Sequence, residues 1–191
     1  MKELLRFTRM TGDLVKAIVN CGKPVIAAVD GPAFGAGFNL ALGCDFVLAS
    51  PRARFCAVFG RIGLVPDLGG FFLLPRIVGL ARAKELIMSA RSVDAEEARE
   101  LGIVLEIHPQ EKLLEAAMEF AGRFRKASRL AAGQAKMILN QSFHLDQKAL
   151  SEMESWAQAV CMESPYHRDA IRRFVEKEPL QFDWDKLAAG E

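Results

Sequence analysis

The 191-residue sequence lacks the features that mark several specialised classes of protein. It has four cysteines, with no C-x-x-C pair and no regular spacing, which favours reduced structural thiols over a disulfide framework. Its 25 Lys and Arg nearly balance its 24 Asp and Glu. A net charge of +1 without a basic block gives no reason to expect nucleic acid or an anionic membrane as a partner.

Long apolar runs are also missing. The longest comparable stretch covers residues 24–29 and is closed at once by Asp30, far short of the roughly 20 residues that a membrane-spanning helix needs. The first six residues mix charges from the start and lack the apolar centre of a signal peptide. We therefore expect a cytoplasmic protein with no membrane partner.

The composition that remains is that of an ordinary globular protein. Hydrophobic residues make up 51% of the chain and charged residues 26%, which excludes intrinsic disorder. A chain of this length can bury roughly 70% of the surface that it exposes when unfolded. It needs neither disulfides nor a structural metal to hold a core.

The first half of the sequence alternates helical and strand patterns. The first twenty residues repeat apolar positions every three or four residues, which predicts an amphipathic helix that Gly12 and Asp13 could interrupt. A short, β-branched, apolar run predicts a strand buried on both faces at residues 24–29. Further predicted elements are a helix at 38–42, strands at 46–49 and 54–56, and helices at 71–74 and 80–88. This order predicts an α/β fold with crossover units.

The second half becomes helical. Asp94 followed by Glu97 resembles a capping box for a helix that ends at Leu101, with Gly102 after its last turn. A last strand is predicted at residues 103–107, and helices follow at 111–126, 129–142, 145–163 and 166–178. We expect an α/β core at residues 1–108 and a helical section at residues 109–191.

Three glycines crowd the junction between the predicted strand and helix at residues 31–40. The dinucleotide fingerprint G-x-G-x-x-G fails, because Gly35 and Gly37 are followed by Leu40 where the third glycine belongs. Free backbone N–H groups at the start of the helix could hold an anion or a developing oxyanion. The alternative is a tight turn that needs small residues only for close packing.

Several ordered motifs resemble the enoyl-CoA hydratase/isomerase (crotonase) superfamily over nearly the whole chain. They lie at residues 23–37, 40–45, 63–70, 74–79, 83–86 and 95–102. The resemblance implies a spiral of ββα turns capped by C-terminal helices that form trimers or pairs of trimers. It implies an acyl-CoA substrate, in which coenzyme A is part of the substrate, and no separate cofactor or metal.

The same resemblance assigns roles to individual residues. The Ala36 N–H would be one of two donors to a thioester enolate, with Gly35 and Gly37 giving the acyl chain room. Asp67 matches the position of a catalytic aspartate in several isomerases and in aryl-CoA dehalogenases. It could move a proton between C2 and C4 of an enoyl thioester, attack an aromatic ring as a nucleophile, or cap a helix that begins near Leu68.

Two departures from the family pattern affect the expected activity. The positions of the two hydratase glutamates hold Asn39 and Phe59, which argues against hydration by the two-glutamate mechanism, although Phe59 could still contact substrate. The strands that carry the second oxyanion donor and much of the adenine pocket precede the family's equivalent of the first helix, and the sequence lacks them. We expect impaired activity for that reason.

The C-terminal section carries one further motif. Phe174 and Lys177 match a helical segment that helps to hold the CoA nucleotide, while a solvated lysine on an amphipathic helix is the competing interpretation. The three histidines show no metal-ligand spacing.

The sequence therefore predicts an isomerase that shifts an enoyl-CoA double bond in acyl-chain degradation. The alternative is a catalytically silent CoA-binding or subunit-interaction protein, and a hydratase is the third choice.

Overall fold

The computed structural model describes residues 1–188, which divide into two compact units. Unit 1 comprises residues 1–20 and 25–119, and unit 2 comprises residues 21–24 and the chain from residue 120 onward. The boundary predicted after residue 108 marks a change in sequence pattern and stays a prediction. The last three residues of that predicted helical section lie outside the described residues.

Unit 1 opens with helix α1 (Lys2–Val19), which runs without a break through Gly12 and Asp13. Its buried residue is Val15, whose Cγ1 fills the space beside the backbone of Gly43 and Gly69. The amphipathic helix predicted for the first twenty residues is confirmed.

Six short strands form two three-stranded sheets in unit 1. The strands are β1 (Ile26–Val29), β2 (Pro32–Phe34), β3 (Phe46–Ala49), β4 (Arg54–Cys56), β5 (Val93–Asp94) and β6 (Glu106–Ile107). One sheet is parallel, in the order β1-β3-β6, with Val29 beside Ala49 and Ala49 beside Ile107. In the other sheet β4 pairs with β2 in parallel and with β5 in antiparallel orientation.

Four helices complete the α/β part of unit 1: α2 (Ala36–Gly43), α3 (Gly70–Val78), α4 (Leu80–Ser89) and α5 (Ala95–Glu100). The core between these helices and the sheets includes the tilted ring pair Phe38 and Phe55, whose centroids are 5.7 Å apart. Leu74 and Leu86 are also almost fully buried in it. The predicted α/β architecture is confirmed.

Local details follow the sequence in some places and depart from it in others. The Asp94 carboxylate accepts a hydrogen bond from the Glu97 N–H at 2.9 Å, which confirms the predicted helix start. The strand predicted at residues 103–107 pairs only from Glu106, because the N–H groups of Ile103 and Val104 donate to the Ala98 carbonyl at the end of α5.

Helix α6 (Leu113–Arg123) starts in unit 1 and ends in unit 2. Unit 2 continues with α7 (Arg129–Leu139), α8 (Gln147–Met162), α9 (Pro165–Val175) and α10 (Trp184–Ala188). The side chains of Ser128, Asp146 and Ser164 cap α7, α8 and α9 in turn. The Trp184 ring lies 5.5 Å from that of Phe120 and 5.2 Å from that of Phe124, between centroids.

Among residues 1–188, no helix combines the length and the hydrophobicity that a bilayer crossing requires.

Candidate active site

The glycine turn lies between β2 and α2. Gly35 has φ +55° and ψ −117°, a conformation that side chains with a Cβ disfavour. Its N–H donates to the Cys56 carbonyl at 2.9 Å, and its own carbonyl accepts from the Asn39 N–H at 3.1 Å. A Cβ on Gly35 would come within 3.3 Å of Val58 Cγ1. The turn therefore requires glycine here both for its backbone angles and for close packing.

Ala36 is the first residue of α2, and Gly37 is the second. Both are exposed, and neither N–H donates to a backbone carbonyl within residues 1–188. The first N–H groups of a helix have no partner inside it and carry its partial positive charge. A Cβ on Gly37 would meet no heavy atom within 4 Å, so there is open space beside these donors. The arrangement is suited to holding a carbonyl oxygen that gains negative charge.

Phe59 forms a wall of the glycine turn. It lies in the 3-10 turn Val58–Ile62, is 8% exposed, and its ring would be 3.6 Å from a Cβ on Gly35. A phenyl ring cannot transfer protons, so Phe59 can shape this site but cannot act as an acid or base.

Asp67 lies in a strained loop just before α3. The next residue, Leu68, has φ +45°, which is uncommon for a residue with a side chain, and Gly69 follows at φ +82°. The Oδ1 atom of Asp67 is buried and has no hydrogen-bond partner. Helix α3 has Gly69 as its N-cap, with no side-chain capping bond. The interpretation of Asp67 as a helix cap is therefore wrong, because the chain turns through Leu68 and Gly69 before the helix begins.

The backbone of Asp67 is held from both sides. Its carbonyl accepts a hydrogen bond from Asn39 Nδ2 at 2.8 Å and another from the Gly70 N–H at 2.9 Å. Asn39 is 2% exposed and lies one helical turn after Ala36 in α2. In the sequence, Asn39 stands out only as the residue that replaces a hydratase glutamate. The signal that could have drawn attention to it is a polar residue on the buried face of an otherwise apolar helix.

Behind the glycine turn, Cys56 lies in a closed environment. Burial raises the pKa of its thiol, and the nearby Arg61 guanidinium opposes this pKa shift. The Cys56 Sγ donates to the Ala90 carbonyl at 3.0 Å, and Arg61 donates to the same oxygen from two nitrogens. Cys56 is therefore a neutral structural thiol. In the part of the chain that the structure describes, no three His, Cys, Asp or Glu side chains converge on a potential metal position.

Phe174 and Lys177 belong to unit 2. Phe174 is in the last turn of α9 and is 74% exposed, and Lys177 follows the helix with φ +57°. The Lys177 N–H donates to the Phe174 carbonyl at 3.4 Å, so the two residues form one helix end. The other predicted site residues, Gly35 to Gly37, Phe59 and Asp67, are all in unit 1.

Known proteins resemble this chain over most of its length. The family model of enoyl-CoA hydratase/isomerase matches residues 5–186. A 1,2-epoxyphenylacetyl-CoA isomerase of Escherichia coli is 34% identical over 174 residues, which cover 91% of this chain and 66% of the isomerase. A short-chain-enoyl-CoA hydratase of Clostridium acetobutylicum is 34% identical over 83% of this chain and 61% of its own. The chain thus spans about two thirds of the length of these curated relatives.

The fold is similar to that of solved members. The crystal structure of an enoyl-CoA hydratase/isomerase from Cupriavidus metallidurans superposes with a TM-score of 0.92 at 45% identity, over 95% of this chain and 69% of that one. The predicted crotonase-like α/β fold is therefore confirmed. Together with the family match over residues 5–186, these similarities show that the chain belongs to the enoyl-CoA hydratase/isomerase family.

Proposed function

We propose that the protein is an isomerase that moves the double bond of an enoyl-CoA thioester, with coenzyme A as part of the substrate. The observation that carries the proposal is the state of Asp67. Its Oδ1 is buried without a hydrogen-bond partner, while its backbone is tied by Asn39 to the helix that begins at Ala36. No donor stabilises negative charge on this oxygen, which favours its action as a base, and a bound substrate would have to displace the residues that cover it.

The proposed reaction starts from a 3-enoyl thioester. Asp67 removes a proton from C2, and the electron pair of the broken C–H bond moves through C1 to the carbonyl oxygen, which forms a dienolate. The Ala36 N–H donates to that oxygen at the N-terminus of α2, where a donor fixed in advance stabilises the charged state more than the ground state. The protonated Asp67 then returns the proton to C4, which leaves the double bond between C2 and C3.

The surroundings of Asn39 and Phe59 argue for isomerisation over hydration. Activation of water by two carboxylates needs a glutamate or an aspartate at both position 39 and position 59. Here the Asn39 amide is already bound to the Asp67 carbonyl, and the Phe59 ring packs against the glycine turn. Gly35, Gly37 and Phe59 would instead shape the room for the acyl chain.

The same two residues favour one alternative, a protein that binds CoA thioesters without turning them over. Hydratase activity is the third candidate, and relatives with either name are similar to this chain.

The test is to incubate the purified protein with 3-enoyl-CoA substrates and to follow the 2-enoyl-CoA formed by chromatography. We expect turnover by the natural protein and a loss of about 100-fold or more in kcat for Asp67→Asn, which keeps the shape of the side chain but cannot accept the proton. The control is Asp13→Asn, which removes an exposed carboxylate of α1 that pairs with Lys16.

The outcomes separate the candidates. Equal turnover by Asp67→Asn would exclude Asp67 as the base. Binding of acetyl-CoA in a calorimeter without any isomerisation would favour the silent alternative, and formation of 3-hydroxyacyl-CoA from a 2-enoyl-CoA would favour a hydratase.

The proposal extends to assembly and location. We expect a homotrimer or hexamer in the cytoplasm, formed through the helical section and with Phe174 and Lys177 near the CoA nucleotide. Trp156 of α8 and Phe174 of α9 are each 74% exposed, so both offer large apolar surface that a neighbouring subunit could cover. Light scattering that reports a monomer would contradict this part of the proposal.

A further inference from the structure

Asn39 occupies an unusual position for a polar side chain. It lies in the second turn of α2, an apolar helix, and is 2% exposed. Within residues 1–188 only Ser50 is another polar residue buried to this degree. A buried amide is costly unless its hydrogen-bonding groups are used. The Nδ2 group of Asn39 donates a hydrogen bond at 2.8 Å to the carbonyl of Asp67, which lies 28 residues further along the chain.

The site around Asn39 is fitted closely to it. A Cβ on Gly70 would be 2.7 Å from Asn39 Nδ2 and 2.8 Å from Oδ1, so the amide rests directly on the backbone of Gly70. Gly70 also donates its N–H to the Asp67 carbonyl at 2.9 Å. The loop between Asp67 and Gly70 passes through two residues with positive φ, Leu68 and Gly69, a conformation that persists only when its surroundings hold it.

We propose that Asn39 is a positioning residue that sets the Asp67 carboxylate relative to the Ala36 N–H, an inference that rests on the proposed isomerase function. Helix α2 carries the Ala36 N–H and the Asn39 side chain in one rigid piece. Its first residue offers the donor for the enolate oxygen, and one turn later Asn39 anchors the loop that carries the base. Because a displacement of about 1 Å at a reacting group can cost roughly 100-fold in rate, this anchor affects catalysis without touching substrate.

Two substitutions at the same position separate positioning from bulk packing. Asn39→Leu keeps the size of the side chain and removes the donor. We expect its kcat to fall by about 10- to 100-fold while KM changes by no more than about threefold. Asn20→Leu, at the exposed C-terminal end of α1, is the matched control and should leave both constants unchanged.

Asn39→Asp supplies the second readout, a pH profile. Its carboxyl has the shape of the amide but can donate to the Asp67 carbonyl only when protonated. The ratio of its kcat to that of the natural protein should therefore rise as the pH is lowered. For Asn39→Leu the same ratio should not depend on pH. A flat ratio for both variants, or a kcat of Asn39→Leu within about twofold of the natural value, would overturn the proposal.

Amide hydrogen exchange tests the anchor without any substrate. In Asn39→Leu we expect faster exchange at residues 67–70 than in the natural protein, and no change in Asn20→Leu. If the natural protein isomerises no enoyl-CoA, the proposed function fails, and the exchange measurement alone decides about Asn39. Unchanged exchange at residues 67–70 would then show that Asn39 does not hold this loop.

Discussion

The side-chain amide of Asn39 donates to the backbone carbonyl of Asp67 at 2.8 Å and joins helix α2 to the loop before α3. This bond links the two parts of the candidate site that the sequence separates by 28 residues. The bond also explains why an amide at position 39 fits where a glutamate or an apolar residue would not, because neither an ionised glutamate nor an apolar side chain could donate this hydrogen bond. The amide supplies the donor that the Asp67 carbonyl accepts, in a space that Gly70 leaves open.

Gly70→Ala should destabilise unit 1 and disturb this bond. The added Cβ would lie 2.7 Å from Asn39 Nδ2, so the amide or the loop must move. Overpacking of this kind costs about 1–3 kcal/mol in the free energy of unfolding, which urea denaturation measures. Gly12→Ala in α1 is the control, because its Cβ would meet nothing within 4 Å and alanine favours a helix. A Gly70→Ala protein as stable as the natural one would contradict the close fit.

Gly35→Ala and Gly37→Ala should have different effects, the first on the stability of the fold and the second on the binding of acyl-CoA. At Gly35 the positive φ and the 3.3 Å approach to Val58 predict a loss of about 1–3 kcal/mol of stability. At Gly37 there is open space, so the fold should remain as stable while acyl-CoA binding weakens. Thermal unfolding and acyl-CoA titration measure the two effects. Equal losses of stability in both variants would count against this distinction.

The ion pairs of Arg91 should make the free energy of unfolding of unit 1 decrease as the pH falls into the acid range. It forms ion pairs with Glu85 and Glu97 at 2.5 and 2.6 Å, and its hydrogen bonds are the main cause that lowers the pKa of each carboxyl. A lowered pKa in the folded state means that the stabilisation is complete above the unfolded glutamate pKa of about 4.3 and is lost as the pH falls through the lower folded values.

Because these side chains are about one third exposed, solvent screens the pairs. We expect Arg91→Met to cost roughly 1 kcal/mol at pH 7. The gap to the natural protein, measured by urea denaturation, should close as the pH falls from about 5 toward 2. Arg99→Met, which removes an exposed i,i+3 partner of Glu96, should show little effect at any pH. A gap that stays constant down to pH 2 would be inconsistent with the ion pairs as its source.

Trp184→Ala should loosen the end of the chain in unit 2. The Trp184 ring packs against Phe120, Phe124 and Phe182, and the Arg123 guanidinium lies 5.4 Å from its centroid. Loss of these contacts should lower the free energy of unfolding by roughly 2 kcal/mol and speed proteolysis near α10. Met88→Ala, which changes an exposed side chain in α4 of unit 1, is the control. Equal cleavage rates in the two variants would argue against the aromatic cluster as the anchor of α10.

Much of the local structure could be predicted because its causes are local. The apolar spacing of α1, the β-branched run that contains β1 and the Asp94 cap of α5 each depend on residues within a few positions of one another. Strand β2 was missed, since Pro32 and its glycine neighbours indicate a turn. Its strand character comes from pairing with β4, in which each partner lies 22 residues later in the chain.

The candidate site divides in the same way. By resemblance, the sequence could assign Ala36 and Asp67 their proposed roles, because both lie in recognisable motifs. It could not distinguish Asp67 as a helix cap from Asp67 with a buried and unpaired oxygen. That distinction depends on the backbone angles of Leu68 and Gly69 and on where α3 begins.

The sequence by itself determined the family, the helical and strand segments with strong local patterns, and the glycine that the turn before α2 requires. Only the tertiary structure decided what Asn39 does. Whether a buried amide is a defect or an anchor depends on the carbonyl that the fold brings within hydrogen-bonding distance, and contacts across 28 residues leave no periodic signal in a single sequence.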